Sequence, residues 1–202
     1  MKTFVLYCFI ILGYNAYAEK TYVRTYYDNG NLLSKGWTNN NQKIDFWVYY
    51  HPNGNIKQKG NYSYNLKTGY WIEYHDNKTI KAKGNYNEGL KEKYWIYYHN
   101  NNTLQKAGNY LKGKANGYWK TYHKNSYLKS QGRYLNGLKN GYWKTYYDNT
   151  KTKSEGHYLN DLKNKFWKFY HSNSVISKFG SFNQNLKTGY WQYFRESGKK
   201  EK

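Results

Sequence analysis

The chain has 202 residues, the length of one ordinary domain, and its 33 Lys and Arg against 12 Asp and Glu give a formal net charge of +21. Charge on that scale argues for disorder, yet aromatic residues make up 22 % of the chain and recur at a fixed period, which a disordered segment lacks. With Cys8 as its single cysteine, the chain can hold neither a disulfide framework nor a multi-cysteine metal site.

In chain order, the N-terminus reads as an export signal. Lys2 supplies a positive start, residues 4–13 are largely apolar, and Ala16-Tyr17-Ala18 has the small–x–small form of a signal-peptidase site. The apolar run is shorter than the roughly 20 residues a membrane helix needs. Cleavage after Ala18 is expected to remove Cys8 and leave a chain beginning at Glu19 that is periplasmic, on the cell surface or secreted. Residues 19–35 read as an N-terminal capping half-repeat. Tyr26-Tyr27-Asp28-Asn29-Gly30-Asn31 resembles the later Tyr49-Tyr50-His51-Pro52-Asn53-Gly54-Asn55 with one residue fewer, and Arg24 stands about where a tryptophan would fall. Terminal repeats are often atypical because one side has no neighbour.

Residues 36–194 are seven repeats of 24 residues, followed by a basic tail at 195–202. A glycine opens each repeat (Gly36, Gly60, Gly84, Gly108, Gly132, Gly156, Gly180), and a tryptophan follows eleven residues later (Trp47, Trp71, Trp95, Trp119, Trp143, Trp167, Trp191). Aromatics stand two after the glycine, one before the tryptophan and three after it. The last two have even separation, so in a strand they share one face and the tryptophan takes the other. Five after the glycine come Asn65, Gly89, Gly113, Gly137, Asp161 and Asn185, and six after the tryptophan come Asn53, Asn77, Asn101, Asn125, Asn149 and Asn173. Both sets are turn residues. Each repeat is therefore two strands and two turns, and the chain an all-β antiparallel meander of β-hairpins. The opening glycine is expected to leave room for a ring from the next strand to lie across it.

The pattern Gly132-x-Tyr134-x-x-Gly137-x-Lys139-x-Gly141-x-Trp143-x-x-Tyr146 resembles the MORN-repeat variant of bacterial proteins labelled YwqK-family antitoxins. The second glycine of the motif is present as Gly69, Gly117, Gly141 and Gly189 and replaced by Asp45, Lys93 and Lys165, which is expected to weaken those repeats. The resemblance implies an elongated, twisted single-layer array acting in protein or membrane-surface interactions, without enzymatic activity or cofactor. Its antitoxin role is not carried over, because a neutraliser of a cytoplasmic toxin has no use for an export signal.

Candidate chemistry is sparse. His51, His75, His99, His123 and His171 form a column four after the tryptophan, but equivalent positions lie about 9.5 Å apart, too far to share a metal ion. They read as strand-end surface residues. No acid–base pair recurs. Lysines recur seven after the glycine (Lys43, Lys67, Lys91, Lys139, Lys163, Lys187) and, in the fourth to sixth repeats, one after the tryptophan (Lys120, Lys144, Lys168), where earlier repeats have Val48, Ile72 and Ile96. These nine form a candidate surface for a partner or an anion; the plainer alternative is a solvated face that guards sheet edges. The expected function is an exported scaffold binding another protein, with an anionic glycan or membrane surface as the alternative. Nucleic acid fits poorly with export.

Overall fold

The computed structural model describes residues 19–201; the segment read as an export signal, the expected cleavage site at Ala18 and Cys8 lie outside the described residues. Fifteen antiparallel strands form one open sheet in strict chain order. They are β1 (Thr21–Tyr26), β2 (Leu32–Asn39), β3 (Gln42–Tyr50), β4 (Ile56–Ser63), β5 (Leu66–Tyr74), β6 (Ile80–Asn87), β7 (Leu90–Tyr98), β8 (Leu104–Leu111), β9 (Lys114–Tyr122), β10 (Leu128–Leu135), β11 (Leu138–Tyr146), β12 (Thr152–Leu159), β13 (Leu162–Tyr170), β14 (Ile176–Asn183) and β15 (Leu186–Tyr193). The repeat-opening glycines lie on even-numbered strands and the repeat tryptophans on odd-numbered ones.

The register sets each glycine opposite tryptophans. Trp143 pairs with Gly132 on one side and with Gly156 on the other. A Cβ added at Gly132 would sit 2.2 Å from the Trp143 ring, and Gly60 and Gly156 are covered in the same way by Trp71 and Trp167. The rings lie across the strand as expected, and only an absent side chain permits it. Between them stands the ring two after each glycine. Trp47, Tyr62, Trp71, Tyr86, Trp95, Tyr110, Trp119, Tyr134, Trp143, Tyr158, Trp167, Phe182 and Trp191 form an unbroken edge-to-face spine, with centroids 4.9–6.3 Å apart. Edge-to-face contact sets the positive ring edge against the negative face of the next ring. This spine is the core, and Trp71 and Trp95 are wholly buried within a single layer.

A bulge at the second glycine makes this packing possible. Gly132 pairs with Trp143 but the next residue, Arg133, pairs with Asn140, so Gly141 and Tyr142 have no partner on that side. The Arg133 carbonyl beside the bulge accepts the Trp143 indole N–H at 3.0 Å, and the tryptophan of each of the seven repeats makes the equivalent bond. Gly141 is left-handed (φ 79°), and so are Asp45 (54°), Lys93 (60°) and Lys165 (61°) in its place. These three repeats keep the bulge and its indole bond, at the cost of about 1 kcal/mol or more for an L-residue held there.

Two kinds of turn edge the sheet. One is a two-residue turn with positive φ at both central positions, as in Asn136 (52°) and Gly137 (89°), the type that matches strand twist. On the opposite edge the left-handed residue is the one after the asparagine: Gly54, Lys78, Asn102, Ser126, Thr150 and Ser174. The asparagines instead work through their side chains. Asn125 accepts the Tyr127 N–H on Oδ1 and donates from Nδ2 to the Asp148 carbonyl of the next repeat, at 3.1 Å.

The N-terminal half-repeat is in full register. Val23, not Arg24, pairs with Gly36 and so occupies the tryptophan position. Tyr27 corresponds to His51, with its hydroxyl on the Tyr50 carbonyl as His51 Nε2 is on that of Tyr74. Thus the first loop has the full length of the later ones.

Candidate interaction face

The strand alternation separates the rings onto two faces with different chemistry. On the spine face, the lysines seven after each glycine lie over the tryptophans. The ammonium is 4.1 Å from the ring centroid at Lys67 and Trp71, 4.2 Å at Lys91 and Trp95, and 4.9–5.3 Å for Lys43, Lys139, Lys163 and Lys187 over Trp47, Trp143, Trp167 and Trp191. A cation over a tryptophan face is attracted by the ring quadrupole. Burial pushes Lys67, Lys91 and Lys163 below the ordinary lysine value of 10.5. Burial likewise pushes the spine tyrosines Tyr62, Tyr86, Tyr134 and Tyr158, and Tyr97 beside them, above the usual 10.0. Lys43, Lys67, Lys91, Lys139 and Lys163 are half-buried and close the core, whereas Lys187 on the last strand is exposed.

On the opposite face, one side chain from each strand forms a row running the length of the sheet. The cross-strand pairs run from Arg24 and Lys35, through Val48, Lys59, Ile72, Lys83, Ile96, Ala107, Lys120, Gln131, Lys144, Glu155, Lys168 and Phe179, to Gln192. Lys120, Lys144 and Lys168 belong to this row. In the first repeats, where Val48, Ile72 and Ile96 stand on the tryptophan strands, the charge sits one strand over, at Lys35, Lys59 and Lys83. Positive charge on every second strand is thus continuous apart from a change of phase at Ala107. The nine lysines singled out from sequence are divided between two faces, and Lys35, Lys59 and Lys83, which belong to the second, were not among them. The glycine-to-tryptophan register could have found them, because the residue before a glycine must face the residue after a tryptophan.

Apart from Ala107, the residue before each repeat-opening glycine also meets the tyrosine or phenylalanine fifteen residues on, by whatever chemistry it has. Lys35, Lys59 and Lys83 lie 5.7 Å over Tyr50, Tyr74 and Tyr98. Gln131 donates to the Tyr146 hydroxyl at 3.0 Å, Glu155 accepts from Tyr170 at 2.6 Å, and Phe179 stacks on Phe194 at 5.8 Å. Glu155 also accepts the Tyr142 hydroxyl at 2.6 Å and pairs with Lys144 at 3.5 Å. Burial would raise its pKa, but those two hydroxyls and the lysine outweigh burial and hold it below the ordinary value; Tyr170 is pushed up to about 12, by burial and then by its bond to Glu155.

Beside this row runs a second one that is not packed away. Phe46, Tyr70, Tyr94, Tyr118, Tyr142, Phe166 and Tyr190, each preceding a tryptophan, are 47–69 % exposed. Between Tyr142 and Phe166, with Glu155, His157 and Lys168 also lining it, lies an open hollow of about 360 Å³. The histidine column is elsewhere, at the loop edge. His51, His75, His99, His123 and His171 each place Nε2 2.8–3.2 Å from a backbone carbonyl of the following repeat, where it donates, so that ring nitrogen is already used.

Comparison with known proteins gives a family match in four segments. The model of the MORN repeat variant matches residues 22–38, 47–64, 67–88 and 139–160. No curated protein matches the chain. Among solved structures, the crystal structure of TcdB2-TccC3 aligns with 91 % of this chain at 10 % identity and a TM-score of 0.25, and that of TcdB2-TccC3-TEV with 87 % at 9 % and 0.24. This chain spans 12 % of the length of either.

Proposed function

The chain carries MORN repeats of the variant type, and we propose that it is an exported, non-enzymatic scaffold that holds another protein against the face opposite the tryptophan spine. One observation carries the reading: the seven rings preceding the tryptophans form one row along the sheet and are about half exposed or more, whereas Trp47, Trp71, Trp95, Trp119, Trp143 and Trp167 on the other face are 3 % exposed or less. Exposed aromatics on a rigid support lose little entropy on binding and are the residues that dominate protein interfaces. Export rests on Ala16-Tyr17-Ala18 and the apolar run before it.

A second reading, an anionic glycan or lipid headgroup as the ligand, is favoured by the lysine row on the same face. Salt distinguishes the two, since contacts to exposed charges are screened within about 10 Å at 0.1 M. In a capture from envelope extract washed at low and then high salt, a protein partner is expected to stay bound, and to be lost from a variant carrying Tyr94→Ser, Tyr118→Ser and Phe166→Ser. Capture of only glycan or lipid, released by salt, would replace the protein reading with the second. Mass spectrometry of the native protein is expected to give an N-terminus at Glu19; an intact Met1 would overturn export by cleavage.

A further inference from the structure

The ring row and the lysine row together have a geometry that selects one kind of polypeptide, and the inference rests on the face assignment just made. Equivalent positions of successive repeats are two strands apart, about 9.5 Å. A polyproline II helix rises about 3.1 Å per residue with three residues per turn, or about 9.3 Å per turn. A chain of this kind lying across the strands presents the same residue to each repeat. The mismatch of about 0.2 Å per repeat accumulates to about 1 Å over the six intervals from Phe46 to Tyr190, within the reach of side-chain adjustment.

We propose that the partner segment on this face is a polyproline II peptide with a three-residue period of the type Pro-Pro-Glu. Its triangular cross-section puts one column of residues on the aromatic row, a second on the lysine row and the third in solvent. Proline rings packing on tyrosine and phenylalanine faces are the standard contact of such peptides, and the hollow between Tyr142 and Phe166 takes a pyrrolidine with its following peptide unit. The acidic column is set by charge complementarity, because the row offers Lys120 and Lys168 on the same strands as Tyr118 and Phe166, while Lys144 beside Tyr142 is already paired with Glu155 at 3.5 Å. Those three repeats, where ring and charge share a strand, form the centre of the site; N-terminal to Ala107 the lysines lie one strand over and a glutamate must reach between rings. The helix has no internal hydrogen bonds and needs no ladder partner, so it can lie on a sheet face instead of at an edge.

The test is a titration of the purified protein with labelled peptides of six Pro-Pro-Glu triplets, a block permutation of the same composition, and a Pro-Pro-Pro-Glu repeat of equal charge. Polyglutamate and a β-linked polyuronate serve as polyanion probes. The triplet peptide is expected to bind about tenfold tighter than either peptide control, and Tyr118→Ser or Phe166→Ser to weaken it by about tenfold. Each variant must unfold at the same urea concentration as the parent. Equal affinity for the block peptide, preference for polyglutamate or the polyuronate, or no binding at all would each overturn the assignment. If the ring variants still abolish capture of an envelope protein, the face reading survives without the polyproline one; if capture is indifferent to them, both fall.

Discussion

Trp143 and Tyr142 are neighbours in the chain and opposites in environment. Trp143 is 2 % exposed, bonded through its indole to Arg133 and laid across Gly132; Tyr142 is 50 % exposed. The same contrast holds for lysines. Lys139 lies 4.9 Å over the Trp143 ring, half-buried within the core, whereas Lys120 is exposed on the other face. Both faces are built of aromatics and lysines, so composition does not distinguish them. For the tryptophans it is the glycine opposite, which lets the ring lie flat and be covered by its neighbours; the rings before them stand opposite side chains, as Tyr118 does Arg133 and Tyr142 does His157, and rise into solvent. One face supplies the stability of the layer and the other is available to a partner.

The strongest way to break this division is to fill the space opposite a tryptophan. Gly132→Val or Trp143→Ala is expected to cost about 3–5 kcal/mol in urea unfolding, by clash in one case and cavity in the other. A loss below about 1 kcal/mol would mean the spine is not the core.

The next effect comes from pH. An unfolded tyrosine ionises near 10.0, but Tyr62, Tyr86 and Tyr97 have raised folded values, so above pH 10 the folded state holds more protons and stability falls as pH climbs. Lys67, Lys91 and Lys163 act the other way: their folded values are lowered, the unfolded state binds more protons, and their contribution rises as pH approaches 10.5. Stability is expected to climb slightly on the alkaline side of neutrality and then drop above pH 10, with the last part of the tyrosinate absorbance, that of the spine tyrosines, appearing together with the loss of sheet signal. Tyrosinate absorbance complete before the sheet signal falls would show that the spine tyrosines are not buried.

A smaller gain is expected from relieving the left-handed residues. Lys93→Gly should stabilise by about 0.5–1 kcal/mol, since glycine meets no steric cost at that φ but gives up chain entropy. Smallest of all is the effect of the exposed rings. Tyr118→Ser should change unfolding by less than about 1 kcal/mol while abolishing partner capture, and a large loss of stability there would erase the distinction between the faces.

Much of this was legible beforehand, and some misreadings were avoidable. Subtracting one period from Trp47 gives Val23, so the cap register was available, as was the even separation that puts Lys139 on the face of Trp143. The loop asparagines were different. They were read simply as turn residues, whereas in the structure they work as side chains that accept within their own loop and donate to the next repeat. Nothing in one repeat announces a bond to another. The bulges were equally hidden where Asp45, Lys93 and Lys165 replace glycine, because the local preference of those residues opposes the conformation that the indole bond and neighbouring strands hold them in.

The sequence by itself determined the period, the alternation of strand and turn, and the meeting of glycine with tryptophan, because these follow from local spacing and side-chain size. The same spacing determined the face on which each lysine falls. How far a lysine is drawn over the core rings was decided only by the tertiary structure, because that depends on what lies across the strand in the bulged register.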